Sequence, residues 1–147
     1  MKAFTLAEML LIMVLLSVTA ALSLPNLGKS YSQLQLQNTV NQLSYTMRYA
    51  QSRAITKNKN IRLLFQQVSK KYQLLEEKEQ KYIPFKGQWG KPVALPREIN
   101  IKPLDFSLDF YPNGAIEKVD IQLCKGKDCM VISTQQQRGQ IEVFDAN

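Results

Sequence analysis

From Phe4 to Leu24 the sequence reads FTLAEMLLIMVLLSVTAALSL, an apolar run with Glu8 as its only charge and Ser17, Thr19 and Ser23 as small interruptions. At 1.5 Å per residue these 21 positions make a helix of roughly 31 Å, close to the roughly 30 Å hydrocarbon thickness of a bilayer. Lys2 is the only charge ahead of the run, so the positive-inside bias places the N-terminus in the cytoplasm and the bulk of the chain outside. Two other readings compete with a retained span. Val18-Thr19-Ala20 approximates the small-x-small pattern of a cleaved secretory signal, which would leave a terminus at Ala21 and release the rest as a secreted binding domain. A buried core helix is the other, although a run this long and apolar on all sides is unusual in one small domain. Glu8 bears on the choice. A carboxylate at mid-membrane costs about 2.5–3.5 kcal/mol on insertion scales, less near an end, so its presence calls for a partner. A helix N-terminus and a free amino group both favour it.

Lys2-Ala3-Phe4-Thr5-Leu6-Ala7-Glu8, followed by the apolar run and then Pro25, resembles the N-terminus of the type IV pilin-like proteins, the prepilins and pseudopilins. The resemblance implies a leader of residues 1–3, cleavage by a prepilin peptidase between Ala3 and Phe4, methylation of the new Phe4 amine, and Glu8 as an internal carboxylate that pairs with the amine of a neighbouring subunit's Phe4. Ala3 stands where that family usually has Gly.

The chain has 147 residues, 19 basic against 12 acidic, a net charge of +7 and no histidine. The length is that of one domain behind an anchor. Without histidine there is no Ser-His or Cys-His nucleophile pair, no imidazole base and no His-containing zinc site. A non-enzymatic protein without cofactor or metal is therefore expected.

Pro25 lacks an N–H and disfavours helix at Leu24, so a kink or interruption is expected there. Beyond it, Leu36, Val40, Leu43, Met47, Ala50 and Ala54 recur at spacings of four and three, which predicts an amphipathic helix with a narrow apolar stripe packed on the protein's own sheet. Lys57-Asn58-Lys59-Asn60 ends it. Ile61–Phe65 and Tyr72–Leu75 read as a hairpin around Ser69-Lys70-Lys71, and the proline-rich stretch between Tyr82 and Pro103 as loop with brief strands at most. Phe106–Phe110 alternates, Pro112-Asn113-Gly114 supplies a turn, and Val119–Cys124, Cys129–Ser133 and Ile141–Phe144 complete the strands. The expected class is α+β, a long N-terminal helix on one antiparallel sheet, divided as leader 1–3, transmembrane helix 4–24, amphipathic helix 25–60 and extracytoplasmic sheet domain 61–147.

Arg53-Ala54-Ile55 entering Lys57-Asn58, then Leu108 to Gly114, and the closing Gly139-Gln140-Ile141-Glu142-Val143 resemble the small pseudopilins of the GspH/FimT type and their competence-pilus relatives. What this implies is a minor structural subunit of a type IV pilus-like filament, first of a type II protein secretion system and alternatively of a DNA-uptake pilus. It would be held in the bacterial inner membrane by a single pass, with the bilayer, other pilin subunits and an inner-membrane assembly platform as partners.

Cys124 and Cys129 flank a four-residue turn between apolar strands, so facing positions bring them within disulfide range. Outside the cytoplasm such a bond is expected as a structural clip of about 2 kcal/mol. The lysines of the middle third, among them Lys70, Lys71, Lys78 and Lys81, could attract nucleic acid, with Tyr72, Tyr82, Phe85 and Trp89 for stacking. No nucleic-acid motif accompanies them, and a solvated basic surface is the preferred reading. Asp105, Asp109 and Asp120 are taken as solvent-facing strand residues.

Overall fold

The computed structural model describes residues 5–136 and 139–146, and leaves the side chains of residues 22–29 undescribed. Ala3 and Phe4, where processing is expected, lie outside it. One helix, α1, runs from Leu6 to Lys57, and the chain divides into two compact units, residues 1–34 and 35–147.

In the first unit the helix begins at Thr5, whose hydroxyl accepts the Glu8 N–H at 3.3 Å. Ser17 donates to the Met13 carbonyl at 2.7 Å, and Thr19 to those of Leu15 and Leu16. The Ser17 and Thr19 hydroxyls are thus satisfied within the helix, as an apolar surrounding requires. Among the described residues no helix is long and apolar enough to cross a membrane. Side chains of the run are described for residues 5–21 alone, about 26 Å of helix, because Phe4 lies outside the described residues and the side chains of 22–24 are undescribed. The helical backbone is unbroken through position 25, in place of the interruption expected at Pro25, whose side chain is not among those described.

In the second unit α1 ends in a Schellman turn, with Asn58 N–H bonded to the Ile55 carbonyl and Lys59 N–H to that of Ala54. Asn58 adopts φ 52°, the left-handed conformation that this cap needs and that Asn tolerates. The helix therefore stops at Lys57 rather than reaching 60. Among the described residues nine strands follow: β1 Ile61–Gln66, β2 Lys71–Lys78, β3 Lys81–Pro84, β4 Val93–Ala94, β5 Asn100–Lys102, β6 Phe106–Phe110, β7 Asp120–Lys125, β8 Asp128–Ser133 and β9 Glu142–Asp145. They make two antiparallel sheets instead of the single one expected. The first has the order β3-β2-β1-β6, with β4 also paired to β2, and the second the order β5-β7-β8-β9.

All six stripe residues, Leu36, Val40, Leu43, Met47, Ala50 and Ala54, are at most 2% exposed. They share one core with Ile61, Leu63 and Phe65 of β1, with Leu108 and Phe110 of β6, and with Ile121, Leu123 and Ile132 of the second sheet. Register explains the selection. Leu63 sits opposite both Leu74 and Leu108, so one face of three adjacent strands is continuously apolar. Polar bonds then fix the last segment to the helix: Arg48 donates to the Ile141 carbonyl, and the Gln51 amide to the carbonyls of Gly114 and Gly139, each at 2.8 Å. Gly139 has φ 65°, and a Cβ there would stand 2.3 Å from the Gly114 carbonyl oxygen, so no side chain fits.

Two sequence expectations change in detail, the hairpin length and Asp109, while the expected disulfide is present. Strands β7 and β8 extend to Lys125 and Asp128, which shortens the hairpin loop to Gly126 and Lys127. Cys124 and Cys129 are directly opposed in the register and bonded, with Cα atoms 4.1 Å apart. Asp109 is no free solvent-facing residue. Its carboxylate takes a two-pronged bond from the Arg62 guanidinium, both distances 2.6 Å, while the Tyr82 ring covers that guanidinium at 4.0 Å. The bond to Asp109 raises the Arg62 pKa further above its ordinary value, opposed by a smaller effect of burial.

Two stability outcomes follow. Replacing both cysteines by Ser should lower the unfolding free energy by about 2 kcal/mol, read from denaturant melts under oxidising conditions, since a short loop confines the unfolded chain only modestly. Asp109→Asn breaks the fork and leaves the half-covered Arg62 without its counter-charge, so a loss of about 1–2 kcal/mol is expected. A melt unchanged within error would show the fork to be a solvated surface pair.

Candidate functional site

The sequence placed its site at the N-terminal end, and of those residues the structure describes Glu8. Thr5-Leu6-Ala7-Glu8 has the spacing of a capping box, with Thr5 as N-cap and Glu8 at the third helical position. A carboxylate there also lies at the positive end of the helix dipole. This local role for Thr5 was legible as a T-x-x-E pattern. From Met9 to Leu16 every side chain is exposed, Leu11 at 62% and Leu16 at 64%, so the helix presents apolar surface that this chain alone does not cover. The disulfide, by contrast, is far along the sequence in the β7–β8 hairpin. Next to it the ammonium of Lys125, 12% exposed, pairs with Glu98 at 2.8 Å and donates to the Gln35 side chain, so the clipped hairpin is tied to α1. Lys125 holds the Glu98 carboxyl below its usual pKa, first through this hydrogen bond and then through its charge.

The three aspartates do not assemble into a catalytic pair. Asp105 accepts the Gln67 N–H, Asp109 binds Arg62, and Asp120 accepts the Ser133 hydroxyl in the other sheet. Among the described residues no group of three His, Cys, Asp or Glu side chains is placed to hold a metal ion. The basic residues are also partly committed. Lys59 pairs with Glu76, and the Lys70 ammonium donates to the carbonyls of Arg97 and Ile99 while its own backbone sits at φ 46°. Lys70 is thus a turn tether and not a free surface charge.

A site the sequence reading missed lies within the second unit, where α1 meets β2, β4 and the 3-10 turn Gln88–Gly90. It is a groove of about 520 Å³ floored by Thr46, Tyr72, Leu74 and Val93 and edged by Tyr45 and Trp89. Trp89 stacks on Tyr49 with ring centroids 4.1 Å apart and remains 40% exposed, and Tyr45 is 71% exposed. Tyr72 is 2% exposed, and its hydroxyl has no partner at hydrogen-bond geometry. Thr46 is beside it, but the Thr46 hydroxyl donates to the Gln42 carbonyl at 2.9 Å. Burial raises the Tyr72 pKa, so the phenol is neutral at physiological pH. Leaving such a group unpaired costs about 1–3 kcal/mol. The sequence offered only Tyr72 and Trp89 as pointers, because the groove joins residues from Asn38 to Val93 that no short motif links.

No protein-family model matches the sequence, and no curated protein matches it. Solved structures do resemble the fold. The minor pseudopilin EpsH of the type 2 secretion system of Vibrio cholerae superposes with a TM-score of 0.65 at 8% identity, covering 76% of this chain and 97% of that one. The type IV minor pilin FimU of Pseudomonas aeruginosa, in one crystal form, gives 0.55 at 19% identity over 76% of this chain and 90% of its own. In a second crystal form the values are 0.53 and 19%, over 74% and 92%. With its helix laid along antiparallel sheets, the chain has the fold of the type IV pilin-like proteins.

Proposed function

We propose that this chain is a non-enzymatic minor subunit, a pseudopilin, of a type IV pilus-like filament serving type II protein secretion. The observation that supports this reading most is an apolar helix, exposed from Met9 to Leu16, on a chain with a pilin-like fold. Such a surface needs a bilayer or other helices around it. In the proposed cycle a prepilin peptidase cuts between Ala3 and Phe4, Phe4 is methylated, and residues 4–24 hold the subunit as a single pass in the inner membrane with residues 61–147 outside. Pro25, which has no N–H to bond back into the helix, bends rather than interrupts it where it leaves the lipid. An inner-membrane assembly platform then moves the subunit into the filament, where Glu8 pairs with the Phe4 amine of a neighbour so that both charges enter an apolar bundle together.

Mass spectrometry of the protein extracted from membranes tests the processing step. The expected chain begins at Phe4 and carries an N-methyl group, whereas a terminus at Ala21 would establish a cleaved signal and a secreted domain. Glu8→Ala should leave the protein in the membrane and remove it from filaments, as read by immunoblot of sheared material. Undiminished incorporation would remove Glu8 from the assembly contact.

A second reading, a minor pilin of a DNA-uptake pilus, is favoured by the net charge of +7. It requires DNA binding that falls steeply with salt. At physiological salt the full chain is expected to bind duplex DNA no better than roughly 100 µM, the loose end of non-specific affinity. Micromolar binding lost on reversing Lys71, Lys78 and Lys81 to Glu would put the uptake reading first. Lys70 is left intact in that test because its reversal would break the turn.

A further inference from the structure

We propose that the groove between α1 and β2 binds a neutral oligosaccharide. Its rim carries five side-chain amides, those of Asn38, Asn41, Gln42, Gln73 and Gln88, and none of the five has a side-chain hydrogen-bond partner among the described residues. An amide offers donors and an acceptor side by side, which matches sugar hydroxyls that both give and take hydrogen bonds. Trp89 and Tyr45 edge the same groove with exposed rings, flat apolar surface suited to the C–H face of a pyranose. Lys91 is the only charged side chain in the lining, so neither a cationic ligand nor a strongly anionic one finds its complement there. At about 520 Å³ the groove falls within the size range of small-molecule sites. The inference uses residues of the second unit alone and stands apart from the filament reading.

Trp89 is the only tryptophan of the chain, so its emission reports on the groove directly. The full chain, held in a detergent without a sugar headgroup, is titrated with tetrasaccharides of glucose and of N-acetylglucosamine and, separately, with a neutral Ala-Ser hexapeptide. A saturable change in Trp89 emission with at least one tetrasaccharide is expected. Asn41→Ala should weaken that binding by about fivefold or more, the worth of one neutral hydrogen bond, at an unchanged melting temperature. Gln37→Ala, on the same helix but outside the groove, should bind as the parent does. No response to any sugar at the solubility limit would overturn the proposal, as would full binding by Asn41→Ala. A response to the hexapeptide alone would assign the groove to a polypeptide and overturn it equally.

Discussion

Six helical side chains, Leu36, Val40, Leu43, Met47, Ala50 and Ala54, hold the second unit together. Each is nearly or wholly buried, and the core they anchor reaches both sheets. A single helix that offers one narrow stripe to two sheets leaves little freedom in how the strands are ordered. The apolar face of β1 must lie between its partners β2 and β6, and the β7–β8 hairpin must bring Ile121, Leu123 and Ile132 to the same core. Burial of this kind contributes roughly 1.5–3 kcal/mol per large side chain, so the stripe outweighs any single polar contact around it. The polar ties from Arg48, Gln51 and Lys125 act at the edges, where they set position more than stability.

The stripe was plain in the sequence because its period differs from that of everything after Asn60. Strands β1, β6, β7 and β8 were likewise legible to within two residues, since alternation and turn residues agree there. Two sheets were not. Sheet membership depends on long-range register, and Leu63 carries no mark of the two partners it faces. Strand β3 and the short β4 and β5 were hidden in a proline-rich stretch, where pairing to longer strands overrides weak local preference. Asp109 was misjudged for a related reason. Alternation places it on the outer face correctly, but only the pairing of β6 with β1 brings Arg62 opposite it.

The candidate assembly site was legible as a pattern, and the groove was not. Lys2 to Glu8 forms a compact motif, whereas the groove gathers single residues from four separate segments. The helix of the first unit poses the opposite problem to that of the second. Its Ser17 and Thr19 hydroxyls are satisfied internally while the apolar side chains from Met9 to Leu16 are left open, so the fold is complete without covering them. Surface of that kind is at home in lipid or in a bundle of other helices, and the proposed filament role rests on it.

The central claim is that the exposed apolar helix is covered in the cell. With Cys124 and Cys129 bonded to each other, a cysteine introduced at Leu11 supplies a single thiol, and Val68→Cys, at a fully exposed turn, supplies the reference. Labelling intact cells' envelopes with a charged, membrane-impermeant thiol reagent compares the two. The account predicts that Leu11→Cys stays unlabelled before and after filament assembly while Val68→Cys labels fully. Equal labelling at both positions would contradict it.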